Sequence, residues 1–319
     1  MTTLPDLRSI REARNLLDQY LPVTRTIAAD SLSRGGMEVH LKLETELPTG
    51  TFKPRGALYA LAVNLARRRV EEVTASSTGN HGAAVAFAAK TLGIPATIFL
   101  PSNPNPVKRK KISDLGAQIV EAGALDLDAA FQSALAYSAR PGVYFLNDAT
   151  DPDVPMGTAT IGLEIVEQVP PVSTVYVPMG DTALIRGVAA AVKLLSPEVR
   201  VVGVQAERAP SYYLSWKEGR VVSTDSCDSC ADGLATRTPD AQNVQAIREL
   251  VDDVVLVSEE QMLGAIAHLY KEEGVLAEPA GAAATAAFMA RPPKRGGEVV
   301  LVVTGANISD DVKRRAGVV

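Results

Sequence analysis

The stretch TGTFKPRGALYAL, residues 49–61, sets one lysine in surroundings that a surface lysine does not need. Lys53 follows the aromatic Phe52 and precedes Pro54, Arg55 and a glycine. Thr49, Gly50 and Thr51 are small, turn-forming residues just ahead of it. Small apolar residues follow, and a helix starting over Arg55 to Leu58 would fix the lysine's position. Burial disfavours the charged form of an amine, so a lysine pointing into a pocket is a candidate nucleophile or base.

Outward from this stretch, short runs rich in valine and isoleucine recur. They are ATIFL (96–100), TVYVP (174–178), VVGV (201–204), DVVLV (253–257) and VVLVV (299–303). Bounded by Gly or Pro, they read as buried strands. Helical stretches lie between them, at 81–92, 107–115, 125–139, 158–168, 184–195 and 259–273, many of them stopping at Gly or Pro. Strands alternating with helices predict an α/β protein with open, mostly parallel twisted sheets and helices on both faces. Residues 73–148 hold three or four strand–helix units. The expected division is a smaller, mobile domain at 49–148 inserted into a larger one made of 1–48 and 149–319. Ligands bind at the carboxyl ends of strands in such sheets, so the loops after strands carry the chemistry.

Three loops stand out. SSTGNHG (76–82) follows the strand-like EVTAS and opens a helix. Its hydroxyls, amide and glycines, with free N–H groups at the helix start, suit a carboxylate or phosphate. An ordinary N-cap is the plain alternative, but the run is longer than a cap needs. PMGDTALIRG (178–187) follows TVYVP, and Gly180 with the N–H groups and hydroxyl of Thr182 can cradle a phosphate. It has neither a P-loop Gly-Lys-Ser/Thr nor a G-x-G-x-x-G. VVTGANIS (302–309) follows the last strand and presents Thr304 at its end; alone it reads as a turn. A lysine, a phosphate cradle and a carboxylate loop are together what pyridoxal phosphate requires.

KLETELPTGTFKPRGA resembles the lysine motif of fold-type II pyridoxal-phosphate enzymes of the serine/threonine dehydratase and serine racemase group. SSTGNHG is similar to that family's asparagine loop, and PMGDTALIRG to its glycine-rich phosphate loop. CADGLA, EPAGAAA and VVTGANIS resemble three further segments in the right order, so the similarity runs from about Ile10 to Asn307. The resemblance implies pyridoxal 5′-phosphate as cofactor and an α,β-elimination that turns a β-hydroxy amino acid into a 2-oxo acid and ammonia. Threonine and serine are the default substrates, with phenylserine or hydroxyaspartate also expected. It implies Lys53 as the Schiff-base lysine and Cα proton acceptor, and Phe52 beside the ring. Asn80 would meet the ring 3′-oxygen, and Gly180, Asp181, Thr182, Ala183 and Leu184 the phosphate. Thr304 would face the pyridine nitrogen. Ser77, Thr78, Asn80 and His81 would hold the substrate carboxylate, with Thr78 also catalytic.

The chain departs from the family pattern at three places. Gly180 is followed by Asp-Thr-Ala rather than further glycines. Asp181 suits a phosphate site only if it points away. Thr78 stands where the racemases have the serine that serves as opposite-face acid/base, and its β-branch argues against efficient racemisation. Glu207 matches one acid of a family metal site, but Tyr213 lies near where the second should be, so no such metal site, or a degraded one, is expected. The chain ends soon after Asn307, so no regulatory domain is expected.

A racemase or a threonine-synthase-like β-replacement on the same fold is the alternative, and a non-catalytic ligand-binding α/β protein the remote one. Net charge −5 without a clustered basic excess argues against nucleic acid. No apolar run approaches the roughly 20 residues of a spanning helix, and no secretory leader is visible at the start. A cytoplasmic homodimer acting on a small amino acid is expected. Cys227 and Cys230, in CDSC, read as two free thiols in a loop, a regulatory disulfide being the alternative. The three histidines, His40, His81 and His268, show no metal-ligand spacing.

Overall fold

A computed structural model describes residues 4–77, 79–102, 106–121, 127–293 and 296–318. In chain order the elements are α1 (Leu7–Leu17), β1 (Thr26–Ala28), β2 (Met37–Leu43), α2 (Lys53–Arg67), β3 (Glu72–Ser76), α3 (Asn80–Leu92), β4 (Ala96–Leu100), α4 (Pro106–Asp114), β5 (Gln118–Glu121), α5 (Leu127–Ser138) and β6 (Val143–Phe145). There follow α6 (Val154–Gln168), β7 (Val172–Pro178), α7 (Ala183–Leu195), β8 (Arg200–Ala206), α8 (Ser211–Glu218), α9 (Ala241–Leu250), β9 (Asp253–Val257), α10 (Glu259–Glu272), α11 (Pro279–Ala290), β10 (Gly297–Val303) and α12 (Asp310–Ala316).

The strands form two sheets. One has the order β1-β2-β10-β7-β8-β9, the other β5-β4-β3-β6. β1 pairs antiparallel with β2, and the remaining described pairs are parallel. Strand β10 shows why both faces must be covered. Val299, Leu301 and Val303 enter one core with Phe288 of α11, while Val300 and Val302 enter another with Ile161 of α6 and Ile185 of α7. Alternate side chains of a strand point to opposite faces, so a strand apolar at every position needs helices on both sides.

The turn that carries Lys53 is fixed from two directions. The helix begins at Lys53 itself, two residues before the expected start. Its first turn lies so close to α6 that a Cβ on Gly157 would be 2.2 Å from the carbonyl oxygen of Arg55. The Arg55 guanidinium, 2% exposed, donates to Glu44 at 2.8 and 3.0 Å and to Glu164 at 2.7 and 2.9 Å. Lys42 Nζ donates to the same Glu164 at 2.5 Å and to the carbonyl of Thr24 at 2.8 Å. Two buried cations and two carboxylates thus share one site, which Arg14 Nη1 joins from its edge at 3.7 Å from Glu164. Such charges are tolerated out of water only when paired and hydrogen-bonded.

The segment before Lys53 is laid along the end of β10. Phe52 N–H donates to the Thr304 carbonyl at 3.0 Å, and Ala306 N–H to that of Gly50 at 2.9 Å. Residues from near the two ends of the chain are therefore neighbours at the carboxyl end of the large sheet.

Candidate active site

Phe52, Lys53, Asn80, Gly180, Asp181, Thr182, Ala183, Leu184 and Thr304 all line one cavity, with Asp148, Gly233 and Glu278. The cavity opens where β7 and β10 end and where α2, α3 and α7 begin. Every residue expected to meet the cofactor is thus brought together. Ser77 and His81 do not line this cavity, and Thr78 lies outside the described residues.

Lys53 is ion-paired with Asp148. Burial alone pulls the amine's pKa down, as the sequence suggested. The Asp148 carboxylate, joined by Asp181 and Glu278, outweighs it and holds the amine above the ordinary lysine value. The reason is the charge partner, which the local sequence around Lys53 does not contain. Burial likewise pushes the Asp148 carboxyl up, but His81 and Lys53 pull it well below the usual carboxylate range.

The residues after β7 form a turn whose close fit depends on Gly180. A Cβ there would lie 2.1 Å from the carbonyl oxygen of Gly233. Thr182, the residue before α7, has a φ of 67°, in the left-handed region where a β-branched residue is an outlier. No side chain caps the first turn of α7, so its backbone N–H groups face the cavity as an anion site. The Thr182 hydroxyl is already engaged, accepting from Arg186 Nε at 3.1 Å. Asp181 Oδ1 accepts from the Thr236 hydroxyl at 2.8 Å, which ties the turn to the loop before α9. Burial raises the Asp181 carboxyl first, and the like charge of Asp148 second.

The asparagine loop is also built around a helix start without a side-chain cap, at Gly79 before α3. Ser77 Oγ accepts from Gly79 N–H at 3.1 Å and so holds the turn. Asn80 donates from Nδ2 to Glu278 at 2.6 Å, and its Oδ1 accepts from Asn307 at 2.8 Å. The buried His81 ring is turned away: Nε2 donates to the Leu146 carbonyl at 2.8 Å, and Nδ1 lies 3.6 Å from Asp148. The His81 imidazole is thus engaged away from the cavity. Asp148, Glu278 and Thr236 were not picked out from sequence. Glu278 and Asn307 stand inside EPAGAAA and VVTGANIS, so a signal existed for those two.

These groups fit pyridoxal phosphate. An amine, an uncapped helix start beside a glycine that cannot bear a side chain, and a strand-end hydroxyl converge on one cavity. The Asp181 carboxyl accepts from Thr236, and the upward shift of its pKa reduces the charge it sets against a phosphate.

Elsewhere, Cys227 and Cys230 are free thiols packed partly buried against the large core. Burial and the neighbouring Glu259 push the Cys230 thiol up to about 12, which makes it an inert one. Glu207 and Tyr213 line a groove on the large sheet, apart from the cofactor cavity. Among the described residues no helix is long and apolar enough to cross a membrane.

Comparison with known proteins agrees with this geometry. An L-threonine ammonia-lyase of Thermotoga maritima is 38% identical over 309 residues, 97% of this chain and 76% of that protein. A phenylserine dehydratase of Ralstonia pickettii is 34% identical over 96% of this chain and 94% of its own length. The structure of maize serine racemase superposes with a TM-score of 0.91 at 27% identity, covering 99% of this chain and 97% of the racemase. The family model described as pyridoxal-phosphate dependent enzyme matches residues 17–305, which include Lys53, both anion loops and Thr304. The chain belongs to the family of pyridoxal-phosphate-dependent enzymes.

Proposed function

We propose that this protein converts a β-hydroxy amino acid of the threonine or serine type into a 2-oxo acid and ammonia. The observation that carries the reading is the convergence of Lys53, the turn at 180–184 and Thr304 on one cavity. Relatives named as threonine ammonia-lyase and phenylserine dehydratase support the choice of reaction.

In this reading Lys53 would hold the cofactor covalently and, freed when the substrate's amine takes its place, would accept the Cα proton at its Nζ. The N–H groups of the 180–184 turn and the start of α7 hold the phosphate, and Phe52 packs beside the ring. Asn80 reaches the ring oxygen and Thr304 the pyridine nitrogen. Ser77, Thr78 and the N–H groups at the start of α3 hold the substrate carboxylate. Bound pyridoxal phosphate supplies the electron sink that makes Cα–H cleavage accessible. Loss of the Cα proton to Lys53 would allow the β-hydroxyl to depart, with a proton, as water. Hydrolysis of the released enamine takes the water up again and yields the 2-oxo acid and ammonia. Thr304 supports elimination, because a neutral hydroxyl does not enforce a protonated ring as a carboxylate would.

A racemase is the second reading, supported by the likeness to maize serine racemase. Purified holoenzyme offered L-threonine, L-serine, phenylserine and 3-hydroxyaspartate separates the two. Release of 2-oxo acid that disappears in Lys53→Ala supports the lyase. D-serine as the main product from L-serine sinks it.

We further propose a homodimer in a reducing compartment such as the cytoplasm. Symmetric dimers are the commonest assembly, and two unpaired thiols suit a reducing setting. Light scattering on eluting protein checks the first point.

A further inference from the structure

The neighbouring strands β2 and β10 run parallel and in register, with Glu298 beside Glu38 and Val300 beside His40. Glu38 and His40 are two residues apart, so both side chains leave the same face of β2. One ligand atom from each of Glu38, His40 and Glu298 lies within 4.8 Å of the others. His40 Nε2 and Glu298 Oε2 are 2.5 Å apart, with side chains 18% and 26% exposed, while Glu38 is open to solvent. Two carboxylates set beside each other on neighbouring strands repel unless a cation lies between them. Among the described residues, no lysine or arginine forms an ion pair with either.

We propose that Glu38, His40 and Glu298 form a binding site for a divalent first-row transition ion, zinc foremost. One imidazole and two carboxylates are a donor set that zinc accepts, and water can complete the coordination on the open side of Glu38. Magnesium and calcium are poor occupants, because they take oxygen ligands and this set includes a nitrogen. Glu298 stands at the start of β10 and Thr304 just past its end, six residues or about 20 Å away. The site is therefore separate from the cofactor cavity and touches no group assigned to catalysis. An ion there joins the central strand β10 to β2 and stabilises the folded chain in proportion to its occupancy.

The test uses holoenzyme stripped with a chelator, dialysed, and titrated with zinc chloride while heat and bound zinc are measured. Wild type is compared with His40→Gln and Glu38→Gln, and magnesium chloride serves as the control salt. The expected result is one zinc per chain in the wild type that His40→Gln lacks. Glu38→Gln weakens it by at least the roughly 10- to 100-fold that loss of an outer-shell partner costs. At one fixed zinc concentration the melting temperature rises most in the wild type, less in Glu38→Gln and not in His40→Gln. Glu38 is exposed, so its variant keeps the fold, which retention of the yellow cofactor colour verifies. If His40→Gln does not fold, Glu38→Gln decides. Zinc binding of equal affinity in wild type and the folded variants, or no binding to the wild type, overturns the proposal.

Discussion

The Lys53 ammonium and the Asp148 carboxylate, 95 residues apart in sequence, form an ion pair inside the cofactor cavity. Only a neutral amine can attack the aldehyde of pyridoxal phosphate. The raised pKa of Lys53 keeps the neutral fraction below that of an ordinary lysine at any pH under 10.5. Capture of the cofactor by wild-type apoenzyme should therefore quicken with pH up to and beyond that value. Asp148→Asn removes the largest opposing charge and leaves burial to act, so the profile moves to lower pH. A profile displaced by one pH unit gives about a tenfold gain in rate at a fixed pH on the rising limb. Stopped-flow absorbance with added cofactor, from neutral to alkaline pH, measures it. Superimposable profiles would show that Asp148 does not set the amine's charge.

Asp181 gives a second pH effect, of opposite origin. Its carboxyl pKa is raised by burial and by Asp148, so the folded chain holds the proton more tightly than the unfolded one. Stability from this group is present at low pH. It is lost as pH climbs from the unfolded value of about 3.9 through the higher folded one. Asp181→Asn keeps an oxygen to accept from Thr236 and abolishes the ionisation. The variant should lose that fall in melting temperature. It should also hold the cofactor more tightly at mildly alkaline pH, with one negative charge fewer beside the phosphate. Weaker cofactor binding in a folded variant would count against this placement of the phosphate.

Two glycine substitutions should act in opposite directions. Gly180→Ala sets a Cβ 2.1 Å from the Gly233 carbonyl, so the turn and its neighbour must separate. Overpacking of this kind costs about 1–3 kcal/mol, which equals roughly 5- to 150-fold in cofactor affinity if the loss falls on binding. Gly264 lies on α10 with nothing within 4 Å of an added Cβ. Gly264→Ala should stabilise the chain by about 0.5–1 kcal/mol through helix propensity. Equilibrium dialysis and urea unfolding read the two effects. A harmless Gly180→Ala would refute the close approach.

Periodicity and punctuation located the five apolar strands named from sequence and the helices between them, because a strand buried on both faces is apolar at each position. β1, β6 and the Ala-rich α11 carry no such pattern: the first two are three residues long, and α11 is apolar all round. The helix after Lys53 was legible, though not its start at Lys53. The expected residues that line the cavity were legible because each sits close to a glycine or a helix start in local sequence. Asp148 and Thr236 were not, since their partners are 95 and 55 residues away, and Glu278, though inside EPAGAAA, has its partner Asn80 198 residues away. His40 shows the same limit. By spacing it has no metal partner, yet the fold brings Glu298 to it across 258 residues.

Arg55 offers the sharpest test of how the lysine is held in place. Its guanidinium makes four hydrogen bonds to Glu44 and Glu164 and one to Thr160 at 3.0 Å, all buried. Without it, Lys42 and, at 3.7 Å, Arg14 remain beside Glu164, but among the described residues the side-chain hydrogen bond left to Glu44 is that of the Thr24 hydroxyl at 2.7 Å. Glu44 then has no cation in hydrogen-bonding contact, and breaking a buried pair in this way costs about 3–5 kcal/mol. Arg55→Met should lower stability by that amount in urea unfolding. Because Arg55 is two residues from Lys53, the remaining folded protein should also retain cofactor poorly. Arg55→Lys restores the charge without the planar fork, so it should recover part of the stability and less of the hydrogen bonding. A loss below about 1 kcal/mol for Arg55→Met, within the range of an exposed ion pair, would mean that the network relaxes to admit water. The first turn of α2 would then owe its position to its close packing on α6 at Gly157 and Val154.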